Sequence, residues 1–252
     1  MAKIWEMYGC TSYSNQTTPL FGVECEIEAV RNVEDLSGHW QMTEDGSLRN
    51  GGKEFISVPL NLPQQFEAFK KLHASLHLGA DPFSERTSIH VHMNCQGLEE
   101  QQVKNILLLY ALYEECFFLM VHPSRRNNIH CVPLTETHMP SMYNRQLSSI
   151  VERWHKYTAL NLLPLASQGT IEFRHMHGHN DSVLYNQWLV CLANLLEVGK
   201  RITIDRAFLS NKEALIRTHA DIFRDSPVYN TTRVGFEFYM NNAITDVKLS
   251  LM

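Results

Sequence analysis

The sequence predicts an α+β protein in which strands with one charged face lie under apolar helices. Segments 21–30, 88–94 and 170–177 alternate, with apolar side chains on one face and acids, histidines or arginine on the other. That is the period of a half-buried strand. Segments 62–78, 98–121 and 181–199 are apolar at helical spacing or throughout. A chain of 252 residues is long enough for one large core. With no repeat, low-complexity stretch or convincing linker, a single domain over 1–252 is expected.

Residues 1–19 are a polar lead-in. In 21–30, Val23, Cys25, Ile27 and Ala29 share one face and Glu24, Glu26 and Glu28 the other. Same-face neighbours on a strand stand roughly 6.5–7 Å apart, so three acids in file repel one another unless something positive sits among them. A strand is expected over 39–43, followed by a hairpin signal at Asp45-Gly46 and a further turn at Asn50-Gly51-Gly52. The next strand, 54–58, opens on Glu54, a strand-end charge unless its neighbour is the Glu24/Glu26 strand. Residues 62–78 read as an amphipathic helix (Phe66, Phe69, Leu72, Leu76) closed by Gly79.

In 88–94, Ile89, Val91 and Met93 oppose His90, His92 and Asn94. Two histidines on one polar strand face are candidate metal ligands. The helix at 98–121 supplies core. The loop 123–128 carries Arg125-Arg126, either solvated charges or a phosphate contact, since the guanidinium fork donates two bonds at once. Residues 130–143 are Pro-rich and irregular, expected as a lid or rim. A short helix over 146–154 and a strand over 156–163 follow, then Gly169 as a turn before 170–177. In this last strand Glu172 and Arg174 share the polar face. Alone, they read as a surface ion pair of little energetic weight. The other acid- and histidine-bearing faces turn that reading toward a site. Asp181 is placed as the cap of the next helix, helical pieces are expected over 211–223, and the tail from 228 has no clear assignment.

Composition bounds the function. A net charge of −5 with no basic run argues against nucleic-acid binding. The six cysteines include no CxxC and read as reduced core thiols. The apolar stretch 106–121 is broken by Glu114 and Glu115, so it is a buried helix and not a membrane span. No signal-peptide pattern is present. A cytoplasmic protein with no membrane partner is expected. No motif supports a Ser–His–Asp or Cys–His nucleophile.

Taken together, Gly22-Val23-Glu24-Cys25-Glu26, Asp45-Gly46-Ser47-Leu48 with Gly52-Lys53-Glu54-Phe55-Ile56-Ser57-Val58-Pro59, His90-Val91-His92, Leu160-Asn161-Leu162 and Thr170-Ile171-Glu172-Phe173-Arg174 resemble, in order and content, the amidoligase family of phage and bacterial genomes. These are carboxylate–amine ligases with a glutamine-synthetase-like fold. The resemblance covers residues 20 to 200 and leaves 201–252 as an extension. It implies an antiparallel sheet with helices on one face and a concave polar face holding ATP and Mg²⁺ or Mn²⁺. It implies Glu24, Glu26, Glu54, His92 and Glu172 as metal ligands, and Glu26, Glu172 and Arg174 as catalytic. Arg174, with Arg126 as a second candidate, is expected on phosphate. Asp45, Ser47, His90 and Asn161 are expected on substrate, a carboxylate and an amine that are small molecules, peptides or protein side chains. The run 175–179 extends beyond the family pattern, and a histidine there either touches substrate or has no role.

Amide formation in water needs an activated acyl group, which phosphoryl transfer supplies, and that transfer depends on positioning and charge neutralisation. Acid-rich ligation with one or two imidazoles suits Mg²⁺ or Mn²⁺ over Zn²⁺. The site requires the acids of separate strands to converge; Glu54 more than ~10 Å from Glu24 and Glu26 would reject it. Two other readings stand beside the ligase. One is a metal-dependent hydrolase using His90, His92 and a carboxylate. The other is a non-catalytic phage protein that keeps the fold.

Overall fold

The computed structural model describes residues 2–137 and 145–251. In chain order they form α1 (Ile4–Tyr8), β1 (Phe21–Ile27), β2 (Val30–Val33), β3 (Trp40–Glu44), β4 (Lys53–Ser57), α2 (Leu62–Ser75), β5 (Leu76–Leu78) and β6 (Ser88–Asn94). Then follow α3 (Glu100–Leu119), a 3₁₀ turn at Pro123–Asn127, α4 (Leu134–Thr137), α5 (Leu147–Glu152), β7 (Leu160–Asn161), α6 (Pro164–Ser167), β8 (Thr170–His177) and α7 (Ser182–Arg201). The chain closes with α8 (Arg206–Leu209), α9 (Lys212–Phe223), α10 (Tyr229–Val234) and α11 (Phe236–Ser250). Six strands make one antiparallel sheet in the order β3-β4-β1-β6-β8-β7, and β2 pairs with β5 beside it. The expected α+β class with an antiparallel sheet is the observed one.

The apolar face of the sheet (Val23, Cys25, Phe55, Val91, Phe173) is fully buried, with α3 and α7 packed together and α7 against α2. Helix α3 is buried almost all round, as its uninterrupted apolar character requires. Its Tyr110 and Phe117, with Trp188 of α7, enclose His175. Gln65 of α2 ties this layer to the sheet: its Nε2 donates to Phe21 O at 2.7 Å and Ser57 Oγ at 2.8 Å. The tail that the sequence leaves unassigned is helical, and α11 packs on α3.

Several expectations need correction. The first strand stops at Ile27, because Ala29 has φ 54° and turns the chain. Glu28 therefore leaves the file, and its Oε1 accepts from Arg49 N at 2.9 Å. Helix 62–78 ends at Ser75, since Leu76–Leu78 join β2 as a strand, and Gly79 donates to Ala29 O instead of capping. The β3–β4 connection turns at Asn50 (φ 54°) and Gly51 (φ 71°), while Asp45 Oδ1 accepts from Ser47 N in a local turn. The strand over 156–163 shrinks to Leu160–Asn161, with Pro164 opening α6 soon after. Of the lid-or-rim stretch 130–143, Leu134–Thr137 is helical and 138–144 lies outside the described residues. Gly169 does turn the chain, at φ 70°, and Asp181 caps α7 by accepting from Val183 N and Leu184 N.

Candidate active site

The register of the sheet assembles the site. Glu24 lies opposite His90, Glu26 opposite Glu54, and Gly22 opposite His92. His92 in turn faces Glu172, which faces Asn161. Side chains directly opposite on an antiparallel pair share a face, with Cβ atoms about 4.5–5.5 Å apart. Acids from three stretches of sequence therefore meet, and Glu54 is a cross-strand neighbour of Glu26.

Two groups of ligand-type atoms result. Glu24, His92 and Glu172 each offer one atom, all within 4.8 Å of one another; Glu26, Asp45 and Glu54 do the same. In the first group His92 Nε2 lies 3.3 Å from Glu24 Oε1, and His92 Nδ1 lies 3.1 Å from Thr170 Oγ1. Asn161 Nδ2 donates to Glu172 Oε2 at 2.6 Å, and Arg174 Nη1 donates to Glu172 Oε1. His90 sits between, 3.3 Å from Glu24, 3.6 Å from Glu172 and 2.8 Å from Ser88 Oγ. In the second group Ser88 Oγ donates to Glu26 at 2.6 Å and Thr43 Oγ1 to Glu54 at 3.2 Å.

The electrostatics of the groups diverge. Burial opposes the charge on Glu24, but hydrogen bonds from His90 and His92 and their charge hold its carboxyl well below the usual carboxylate range. Burial also opposes a charged His92, yet the Glu24 bond and charge outweigh it and push His92 up. Glu54 is pushed up by burial and by the neighbouring charges of Glu24, Glu26 and Asp45. Crowded carboxylates of this kind are what a divalent cation relieves. Oxygen donors with one imidazole in the first group and none in the second fit Mg²⁺ or Mn²⁺ better than Zn²⁺. His90 and His92 do not enter one metal-sized group among the described residues, which leaves the hydrolase reading without its two-histidine chelate.

The groups lie in a cleft of about 1210 Å³, whose lining also includes Arg49, Arg86, Arg125, Lys156 and Arg174. Asp45 and Ser47 line it as well. Asp45, expected on substrate, joins the second acid group, and Ser47 accepts Arg86 through its carbonyl at 3.1 Å. Asn161 and His90, also expected on substrate, are engaged with the acids.

Arg126 is not brought to the cleft. Its guanidinium is held by Glu115 and Glu136 at 2.8 Å each and stacks on Phe118. Arg125 lines the cleft instead, with Nη2 donating to Arg174 O at 2.6 Å and Nε to His175 O at 3.0 Å. Neighbours in a 3₁₀ turn point about 120° apart, and a loop without periodicity gives no way to choose between them. Of the histidines after the last strand's Arg174, His175 is in the core, where burial and the Arg125 charge push it down to about 3. His177 receives a hydrogen bond from His122 N, and His179 from Asp181 N. None of the three lines the cleft.

A family model described as "Putative amidoligase enzyme" matches residues 23–196, which takes in every strand that supplies an acid, histidine or arginine to this cleft. The chain belongs to the amidoligase family. The amidoligase match begins two residues after the start of β1 and ends within α7, so the lead-in and the helices α8–α11 lie outside it. No curated protein matches the chain. Among the described residues, no helix of this amidoligase-family protein is long and apolar enough to cross a membrane.

Proposed function

We propose that the protein is an ATP-dependent carboxylate–amine ligase that joins its substrates through an acyl phosphate. The observation that carries this reading is the pair of acid-rich groups on the floor of a cleft walled by arginines. Glu24, His92 and Glu172 would hold one Mg²⁺ or Mn²⁺, and Glu26, Asp45 and Glu54 a second. Such ions, when bound, neutralise phosphate charge during transfer.

The chain's own groups supply the rest. Arg49, Arg86, Arg125 and Lys156 offer cationic contacts along the cleft to an extended polyphosphate. Arg174 lies at the end of this wall nearest Glu172, fixed by Glu172 and by donation from its Nε to His130 O at 3.2 Å. That position suits a clamp on the transferring phosphoryl group, where a preorganised donor acts with little reorganisation. In the first half-reaction the substrate carboxylate takes the γ-phosphoryl group and ADP leaves. In the second, the amine attacks the acyl carbon and inorganic phosphate departs. Both half-reactions need water kept from the acyl phosphate, and the burial of Glu26, Glu172 and Arg174 supports a dry floor.

ADP release from the purified chain with Mg²⁺ and ATP, across a panel of acids and amines, tests the proposal. Glu26→Gln is expected to abolish release. Absence of heat on mixing the folded protein with ATP and Mg²⁺ in a calorimeter would reject the reading and favour a fold kept without catalysis.

A further inference from the structure

The cleft continues past the acids. A second cavity of about 690 Å³ opens beside it, and Glu24 and His92 line both. One wall is the lead-in segment 8–13, which lies outside the family match. That segment is anchored to the sheet: Tyr13 N donates to Gln96 Oε1 at 2.7 Å and Asn94 Nδ2 donates to Tyr13 O at 3.1 Å. The floor is Gly22, on the same strand face as Glu24 and Glu26. A Cβ there would meet only His92 Cβ, at an ordinary 3.7 Å. Neither backbone strain nor a clash demands glycine at this position, and its effect is to leave room beside His92.

The two cavities differ in the cations they offer beside their acids, six of which line the first. Five lysine and arginine side chains line the first. None lines the second among the described residues, where Glu24 is paired with His92 at 3.3 Å and the other polar groups are hydroxyls, amides, the Cys10 thiol and backbone. A carboxylate or phosphate entering the second cavity would lose water, find no arginine or lysine and face Glu24. A desolvated anion without a counter-charge is costly. An ammonium meets no lysine or arginine there, and Tyr8 and Tyr13 in the wall offer aromatic surface to a cation or an apolar stem.

We propose, resting on the ligase reading above, that the second cavity receives the amine substrate: a primary ammonium on a stem with no further charge, presented at the Glu24 end. The acid and the nucleotide then occupy the arginine-walled cleft, and the acyl carbon lies where the cavities meet. The ammonium loses one proton to water. Its nitrogen lone pair forms the C–N bond as the C–O bond to phosphate breaks, and the second proton leaves with inorganic phosphate. Discrimination among amines resides in the lead-in segment, apart from the elements that hold the phosphates.

Cys10 reports on occupancy, because it lines the second cavity and is partly exposed while the other five cysteines are buried. The rate of Cys10 alkylation by iodoacetamide on the full chain is followed by peptide mass mapping, with Cys10→Ser as the site control. Saturating n-butylammonium or glycinamide is expected to slow alkylation by about fivefold or more, whereas butyrate at equal ionic strength and Mg-ATP leave the rate unchanged. Protection by butyrate or by Mg-ATP, or no protection by either amine, overturns the assignment. Calorimetry with Mg-ATP on the same sample separates the two proposals. Heat from Mg-ATP without amine protection rejects the amine cavity alone. Amine protection without heat rejects the ligase reading and leaves an amine-binding cavity.

Discussion

The two acid groups share a floor but are built differently. Glu24, His92 and Glu172 stand on the central strands β1, β6 and β8, and each is held by another side chain: His90, Thr170, Asn161 or Arg174. Glu26, Asp45 and Glu54 come from β1, a loop and β4, which lies between β1 and the edge strand β3, and two of the three are only half-buried. The first group has its charge balanced by imidazole and guanidinium. Among the described residues the second has no such ion pair, and burial with the charges of Glu24, Glu26 and Asp45 raises Glu54. On the proposed reading, the first group would offer a cation a preorganised position, while the second would be relieved of its crowding only on filling. The first is then expected to bind its ion more tightly than the second.

The largest test of that contrast removes the first group's central charge. Glu24→Gln is expected to lower the rate of ADP release by about 10²–10³-fold, the scale seen when a preorganised electrostatic contact is lost, and to lower the pKa of His92 measured by NMR titration. An unchanged His92 pKa would break the argument that Glu24 raises it. Next, Asn161→Ala leaves every metal-type atom in place but frees Glu172. It is expected to weaken Mn²⁺ binding by about 10–100-fold. Asp45→Asn, in the looser group, is expected to cost less than that in calorimetry and to bring the Glu54 carboxyl down, because one of the charges that raises it is gone. Equal losses from both variants would erase the distinction between the groups.

Histidine titration sharpens the comparison with opposite signs. His92 is raised above 6.5, so in the metal-free protein its stabilising contribution is present below pH 6.5 and lost as pH rises through the raised value. A cation competes with that proton, and Mn²⁺ affinity is expected to climb with pH across the same range. His175 and His179 are depressed, mainly by burial, to about 3 and about 4. Their contribution is present above 6.5 and lost as pH falls toward those values. Urea unfolding of the metal-free chain at pH 7.5 and pH 5 is expected to show the net loss on the acid side. The smallest effect belongs to Arg126→Ala. Its pairs with Glu115 and Glu136 are partly exposed, so a stability change of at most about 1 kcal/mol and an unaltered response to Mg-ATP are expected.

Strands β1, β6 and β8 were legible because each alternates over at least five residues and one face is buried. What alternation cannot convey is which strand lies beside which. The pairing of Glu26 with Glu54 needed a family pattern before coordinates could show it. Glu28 continues the alternation in sequence yet leaves the row, because one left-handed residue at Ala29 turns the chain and no periodicity marks it. Asp45 was visible as a turn residue, but its approach to Glu26 and Glu54 is a tertiary contact that no local pattern marks. His175 opened a run in which a histidine was expected either to touch substrate or to have no role. Its parity with Ile171 and Phe173 already puts it on the buried face, and the β6–β8 pairing shifts register beside it.

That shift has a consequence of its own. Val91 pairs with Phe173 but Ile89 pairs with Met176, so β8 takes three steps where β6 takes two. A uniform ladder can slide by one position and merely exchange its faces. A ladder with an odd step cannot, since any alignment that is correct on one side of the bulge is inverted on the other. Phe173 and Met176 are both fully buried, and only the native alignment seats them together indoors. The irregular step thus acts as a key that rejects misthreaded pairings, and it keeps Glu172 and Arg174 aimed at the cleft.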